Sequence, residues 1–137
     1  MKLPTTKTAL IAIGMLVSGL AIAHHSTAMY DKAHPLVVEG TVKVVQWRNP
    51  HVTFDFVTDA TPDQPARTWT VEGSTPGVMT RSGWTKRSLN PGDRVQVVLA
   101  PLRNGKPGGI VLQKVTKMAT GEVLTWKNLE TELAGAE

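Results

Sequence analysis

Cysteine is absent from the 137-residue sequence. Its absence excludes disulfide bridges, thiolate metal ligands, cysteine nucleophiles and lipid attachment through a cysteine. Several common catalytic and cofactor-binding motifs are missing too, including Gly-x-Gly-x-x-Gly, Gly-x-Ser-x-Gly and His-Glu-x-x-His. Hydrophobic residues nevertheless make up 41% of the chain, and this content argues against disorder throughout.

No hydrophobic run is long enough to span a bilayer as a helix. The apolar segment of residues 8–20 falls short of the roughly 20 residues that a spanning helix needs. Lys2 and Lys7 precede this segment, and Ala21 and Ala23 form an Ala-x-Ala site after it. These three parts are typical of a secretory signal peptide. We therefore predict a signal peptide over residues 1–23, a periplasmic or secreted protein, and no membrane attachment after cleavage. An uncleaved membrane anchor is the alternative.

The excess of positive charge is small. The formal net charge is +4, and it falls to +2 once Lys2 and Lys7 leave with the predicted signal peptide. A charge of this size does not favour binding to nucleic acid or to an acidic membrane surface. The 114 residues that remain are enough for one domain with a hydrophobic core.

Alternating apolar residues predict five or six short strands and one helix. The predicted strands cover residues 36–47, 51–58, 67–72, 95–99, 110–117 and 122–126. Between the third and fourth strands, a cap at Ser74 or Thr75, Pro76 in the first turn and Gly83 at the end predict a short helix. The alternation breaks at Val44-Val45, which predicts a bulge in the first strand.

The order of these elements predicts an all-β fold of the OB type. Three strands, a short helix and two or three further strands would form a five- or six-stranded barrel. A small open β-sandwich is the alternative. The predicted organisation is a signal peptide, an irregular amino-terminal arm, the barrel and a polar tail, over residues 1–23, 24–36, 37–126 and 127–137.

Polar side chains on the second and third predicted strands form a candidate ligand-binding face. Parity places His51, Asp55 and Glu72 on the side opposite the core residues. Asp55 and Glu72 would suit an acid–base pair, or they are simply solvated carboxylates. Further candidates for a ligand-binding surface are Arg81, Trp47 and Trp84.

Cleavage after Ala23 would create a cluster of metal ligands at the new amino terminus. His24 would come first and His25 second, so that an amine and two imidazoles lie within a few ångströms. The amine titrates near pH ~8 and histidine near ~6.5, so a metal can displace both protons at neutral pH. Nitrogen ligands favour Cu(II) among the divalent first-row metals. The expected cofactor is therefore copper.

His51 is the best candidate for a further copper ligand, because the rigid Asn49-Pro50 turn precedes it. Together with His24 it would resemble the histidine brace of exported copper proteins. His25 is the alternative ligand. Met29 and Met79 are candidate thioether ligands for Cu(I). The opposing interpretation is a solvated tail that chelates metal adventitiously, with His51 in a local hydrogen bond.

Five motifs extend over nearly all of the chain that follows the predicted cleavage site. They are Ala-His-His-Ser at 23–26, Trp-x-Asn-Pro-His at 47–51, Trp-x-x-Glu at 69–72, Arg-x-Gly-Trp at 81–84 and Leu-x-Pro-Gly-Asp at 89–93. In these motifs the chain resembles a family of small exported bacterial proteins of unassigned function; His34 lies outside the pattern. The resemblance supports the predicted fold and draws attention to His24, His25, His51, Glu72 and Arg81. It implies no activity.

The sequence therefore predicts a periplasmic protein that binds a small ligand, with copper as the favoured one. The first alternative is a metal-free module that binds a small molecule or an envelope protein. The second, less favoured alternative is a copper-dependent enzyme, which would require an open coordination position and a substrate groove.

Overall fold

The computed structural model describes residues 27–125. The predicted signal peptide, the candidate ligands His24 and His25, and the predicted tail of residues 127–137 lie outside the described residues. Within residues 27–125 we find no helix with the length and hydrophobicity that crossing a membrane requires.

The described chain contains six strands and two short helices. A single 3-10 turn, Thr27–Met29, comes first. The strands are β1 (Leu36–Gln46), β2 (Thr53–Val57), β3 (Thr68–Glu72), β4 (Arg94–Pro101), β5 (Gly108–Lys117) and β6 (Val123–Thr125), and the helix α1 (Pro76–Arg81) lies between β3 and β4.

The first five strands close into a barrel. β1 pairs antiparallel with both β2 and β4, β2 with β3, and β4 with β5. Parallel pairing of β3 with β5 completes the circuit, and β6 adds to β5 outside it. This topology confirms the predicted all-β, OB-type barrel with one short helix between the third and fourth strands. Since the sheet is closed, the alternative of an open sandwich is wrong.

β1 bends sharply around the barrel through a glycine and a bulge. The register shifts between Val42 and Val44, so Lys43 is the extra residue. After it, Val45 packs against the core while Val44 is exposed. The predicted bulge is thus present, one residue earlier than the sequence suggested. At Gly40, a Cβ atom would lie 2.5 Å from the carbonyl oxygen of Val57, so only glycine allows β1 to approach β2 so closely.

α1 packs against the core cluster through Val78 and Met79, and its ends follow the predicted signals. The hydroxyl of Thr75 accepts a hydrogen bond from the Val78 amide at 3.3 Å, Pro76 is the first helical residue, and Gly83 follows the helix with φ +91°. Met79 is buried in the core cluster. The remaining buried hydrophobic residues come mainly from the inward positions of β1, β2, β4 and β5, so the core fills the inside of the barrel.

Candidate functional site

The outer surface of β2 and β3 carries the polar side chains. Their antiparallel register pairs Thr53 with Glu72 and Asp55 with Thr70. Phe54 and Val71 therefore point to the core, where both are buried. His51 lies just before β2 and contacts Glu72 on the outer side, which is the shared face that strand parity predicts.

Glu72 connects two side chains at this face. Its Oε1 atom contacts Nδ1 of His51, and the Tyr30 hydroxyl donates a hydrogen bond of 3.1 Å to its Oε2 atom. The side chains of His51 and Glu72 are each 26% exposed, so the pair is partly shielded from water. Burial, then the negative charge of Glu72 and the hydrogen bond to it, raise the pKa of Tyr30 to about 12. We call Tyr30, His51 and Glu72 the Glu72 cluster.

Tyr30 reaches Glu72 because the amino-terminal arm is docked on the loop between β4 and β5. Tyr30 forms an isolated antiparallel bridge with Leu102. The Asp31 amide donates to the Pro101 carbonyl at 2.8 Å, and the Arg103 amide donates to the Met29 carbonyl at 3.0 Å. These backbone contacts fix residues 29–31 beside the outer surface of β3.

A groove opens between the docked arm, the outer face of β2 and β3, and the β4–β5 loop. Its volume is about 400 Å³, and its lining includes Met29, Tyr30, Glu72, Leu102 and Lys106. Ligands of OB-type barrels typically bind on this face, between the β1–β2 and β4–β5 loops. Of the polar side chains that strand parity places on this face, Glu72 lines the groove, whereas His51 and Asp55 do not.

The other predicted site residues are scattered. Asp55 lies on the same face, opposite Thr70, and is half-buried. Arg81 is exposed at the end of α1, and Trp47 is half-buried against the core. Neither lines the groove.

Trp84 does not belong to a ligand-binding surface. It is 3% exposed, packs in the core cluster, and donates from Nε1 to the Thr125 carbonyl at 3.0 Å. It follows Gly83, whose positive φ turns the chain back toward the barrel after α1, and this turn buries the indole. Met79 is 1% exposed and likewise lies in the core, whereas Met29 is 54% exposed and lines the groove.

His34 lies two residues before β1 and is exposed. Its Nδ1 atom is 3.0 Å from Oδ2 of Asp31, and this hydrogen bond is the main cause that holds the pKa of Asp31 below its usual value. His34 is therefore paired with a carboxylate of its own and does not join the Glu72 cluster.

Sequence reasoning missed the two residues that bring the arm to the site, Tyr30 and Arg103. The arm lacks hydrophobic periodicity, so no pattern placed it on the barrel. The one available signal was Tyr30 itself: it is the only tyrosine in the sequence and stands among small and polar residues.

The described residues offer two neighbouring donors of the kind that bind metals, His51 and Glu72. Residues 27–125 contain no group of three or more His, Cys, Asp or Glu side chains suited to holding a metal ion. A carboxylate on one nitrogen of a histidine is, however, the usual arrangement for a histidine that binds metal through its other nitrogen. Additional donors would have to come from elsewhere, and His24 and His25 lie outside the described residues.

Comparison with known proteins places the chain in a family. No curated protein matches it. Residues 13–113 match DUF6152, which is described as a family of unknown function, and this span is well over half of the 137 residues. The resemblance to a family without an assigned function is thereby confirmed. The chain belongs to DUF6152, a family of unknown function.

Proposed function

We propose that this protein is an exported copper-binding protein in which the processed amino terminus and the barrel share one Cu(II) ion. His24 would bind through its amine and imidazole, and His51 would supply a nitrogen from the barrel. The observation that carries the proposal is the position of Glu72, which contacts His51 and the docked arm at the same time.

The contact with Glu72 favours His51 as a ligand. A neutral imidazole that donates from Nδ1 to a carboxylate has its lone pair on Nε2, the atom that would bind the metal. The carboxylate would also fix the plane of the ring. Glu72 would thus act from the second coordination shell, on a histidine that lies just before β2.

The geometry of the arm also supports the proposal. The arm is held on the barrel from Ala28 to Asp31, and the Tyr30 hydroxyl reaches the same carboxylate that contacts His51. From Thr27 back to His24 there are three residues, which span at most about 11 Å. A new amino terminus at His24 would therefore stay close to the side of the barrel that carries the Glu72 cluster.

A titration with Cu(II) tests this function. The processed chain, beginning at His24, is titrated against a competing chelator, and the same is done for His51→Ala. We expect one tightly bound Cu(II) and at least tenfold weaker binding by the variant, because it lacks one of the proposed nitrogen ligands. His34→Ala is the matched control: its imidazole is 82% exposed and lies outside the Glu72 cluster, so the affinity of this variant for Cu(II) should stay within about twofold.

An unchanged affinity for His51→Ala would reject the shared site and leave chelation by the terminal histidines alone. Mass spectrometry of the protein from its native compartment provides a second check. It reports the first residue of the processed chain and any retained metal together, and a first residue other than His24 would remove the basis of the proposal.

The second candidate function is metal-free binding of a small molecule. The observation that favours it is the groove of about 400 Å³, which has apolar walls at Met29 and Leu102 and polar groups at Tyr30, Glu72 and Lys106. This function needs no unblocked amine at His24. One extra residue before His24 would therefore leave it intact, whereas the same change would weaken the proposed copper site.

A further inference from the structure

We infer that the first half of β1 is a docking edge for an extended segment of a partner protein, which adds to the barrel as a further strand. The segment that fits carries an acidic and an apolar side chain two positions apart. We call residues 36–40 the β1 edge. This interaction is independent of the proposed copper site, because it uses only β1, β3 and the loop between β2 and β3.

The β1 edge has backbone groups that face away from β4. Val42 donates to the Asp93 carbonyl and accepts from the Gly92 amide, both at 2.9 Å, so its own backbone faces the β4 side. Successive residues of an antiparallel strand direct their amide and carbonyl groups to opposite sides. Counting back from Val42 along β1, the groups of Val37 and Glu39 therefore face the opposite side, toward β2.

β2 does not extend far enough to pair with these groups. Its pairing with β1 ends at Val57, which lies opposite Thr41. In the same register Asp59 would lie opposite Glu39, but the described residues contain no backbone hydrogen bond between the two. Within residues 27–125, residues 37 and 39 thus have no strand partner on this side. A peptide that binds by strand addition uses backbone groups of this kind.

A second groove lies along the β1 edge and provides room for the added strand. Its volume is about 450 Å³, and it lies between residues 37–39 of β1 and the β2–β3 loop. The guanidinium of Arg94, on β4, donates to both carboxylate oxygens of Asp59 at 3.1 and 2.6 Å, which ties this loop to the sheet. The groove shares no lining residue with the groove beside the Glu72 cluster.

Trp69 and Val38 provide the apolar part of this groove. Both are half-buried and pack against the core cluster, and the Trp69 ring stacks on Phe56 with the ring centroids 6.5 Å apart. Val37, the next lining residue, is 62% exposed. An apolar side chain of the added strand would remove surface of these residues from water, which favours binding.

Arg67 determines the charge of the segment that fits. Among the charged residues that line the groove, Asp59 is paired with Arg94, and Glu39 accepts a hydrogen bond from a glutamine of β4. The Arg67 side chain forms no ion pair within residues 27–125. A guanidinium binds a carboxylate through two parallel hydrogen bonds. The groove is therefore complementary to an acidic side chain.

The spacing of the two side chains follows from β3. Arg67 and Trp69 both line the groove and are two residues apart, one just before β3 and one within it. Residues two apart in an extended chain lie on the same face, about 7 Å from each other. A segment that extends along the groove would therefore meet Trp69 with an apolar residue and Arg67 with an acidic residue two positions away.

The probe is a library of random seven-residue peptides displayed on phage and selected against the processed chain. Enriched peptides should carry Asp or Glu two positions from an apolar residue. Their affinities are then measured for Val37→Pro and Val37→Thr. Proline removes the amide at the edge without removing a hydrogen bond to β4, so we expect at least tenfold weaker binding. Threonine keeps the amide and should change affinity by less than about twofold. Urea titrations confirm that both variants fold.

A second pair of variants tests the acidic position. Arg67→Ala should weaken binding of the enriched peptides at least fivefold, because it removes the partner of the carboxylate. Arg87→Ala is the matched control: its side chain is exposed and lines neither groove, so affinity should be unchanged.

Amide hydrogen exchange distinguishes strand addition from contact through side chains alone. The amides of residues 37 and 39 should exchange rapidly in the protein alone and more slowly when a peptide is bound. The amide of Val38 faces β4 and should be protected in both states. Slow exchange at residues 37 and 39 without peptide would show that this chain or a second copy already covers the edge, and would overturn the inference.

The remaining outcomes also decide the inference. Failure of the library to enrich any peptide overturns it. Equal affinity in Val37→Pro overturns it as well, because binding would then not use the edge, and equal affinity in Arg67→Ala rejects the acidic partner. None of these measurements involves copper, so they leave the proposed function to its own titration.

Discussion

At the scale of single residues, the feature that matters most is one carboxylate with two partners. Glu72 contacts His51 through one oxygen and accepts from Tyr30 through the other. A partly buried carboxylate is stable when both of its oxygens are engaged, because an unpaired charge would lose its hydration. The arm and the β1–β2 turn are thus connected through a residue that belongs to neither.

Replacement of Glu72 by Gln should lower the pKa of Tyr30 from about 12 while leaving it above 10. The negative charge and its acceptor oxygen are lost, but burial, which is the largest cause of the rise, is retained. The measurement is an absorbance titration of tyrosinate. It reports on Tyr30 alone because the sequence has one tyrosine. The matched control is Asp55→Asn on the same face, which should leave the titration unchanged. An unchanged curve for Glu72→Gln would mean that the carboxylate does not face Tyr30.

The same shift makes stability depend on pH in the alkaline range. The pKa of Tyr30 is about 12 in the folded protein and about 10 in the unfolded chain, so the unfolded chain loses its proton first as the pH rises. The difference between the two pKa values therefore contributes to the free energy of unfolding. This contribution is fully present below pH 10 and is lost between about pH 10 and 12. Tyr30→Phe should therefore lose stability less steeply over that interval in urea titrations. Parallel curves for the two proteins would contradict the assignment.

At the scale of elements, local patterns predict the barrel well and the arm poorly. The alternation of side chains in β2 and β3 places His51 and Glu72 on one face. The capping residue Thr75 and the glycine at position 83 predict the two ends of α1 to within two residues. These features depend on neighbours in the sequence. The docking of the arm pairs Tyr30 with Leu102, 72 residues away, in one isolated bridge. A contact of this kind produces no periodic pattern in the sequence from which it could be predicted. The prediction that Trp84 lies on a ligand-binding surface failed for a related reason, because the direction of the indole depends on the turn after α1.

Gly40→Ala tests the close approach of β1 and β2. The added methyl group would lie 2.5 Å from the Val57 carbonyl oxygen and 2.6 Å from a ring carbon of Phe56, so strand and core would have to shift. We expect the free energy of unfolding to fall by about 2 kcal/mol or more. The control is Gly77→Ala in α1, where the nearest atom is the mobile end of Arg81 at 3.5 Å. That change should be neutral or stabilise by up to about 1 kcal/mol. Equal losses in urea titrations of both variants would contradict the packing argument.

At the scale of the whole molecule, the proposed site would be divided between the barrel and a terminus that the predicted processing would create. The barrel could be predicted from the sequence because closure by β3 and β5 follows from the order of the elements. The site could be predicted only in part. His51 and Glu72 follow from strand parity, but their connection to the arm through Tyr30 and Arg103 depends on contacts that form only after the barrel has folded.

This division predicts how copper should affect stability. A ligand stabilises a fold only by the excess of its affinity for the folded over the unfolded chain. The unfolded chain keeps His24 and His25, so chelation by these residues alone would stabilise neither state over the other. If His51 adds tenfold to the affinity, the excess is about 1.4 kcal/mol, which should raise Tm by about 5 °C in a domain of this size.

Calorimetry of the processed chain with excess Cu(II) measures this shift. His51→Ala should bind copper yet show almost no rise, and a chain with one residue added before His24 should show a smaller rise. Equal shifts for all three proteins would show that the barrel and the terminus do not share the metal.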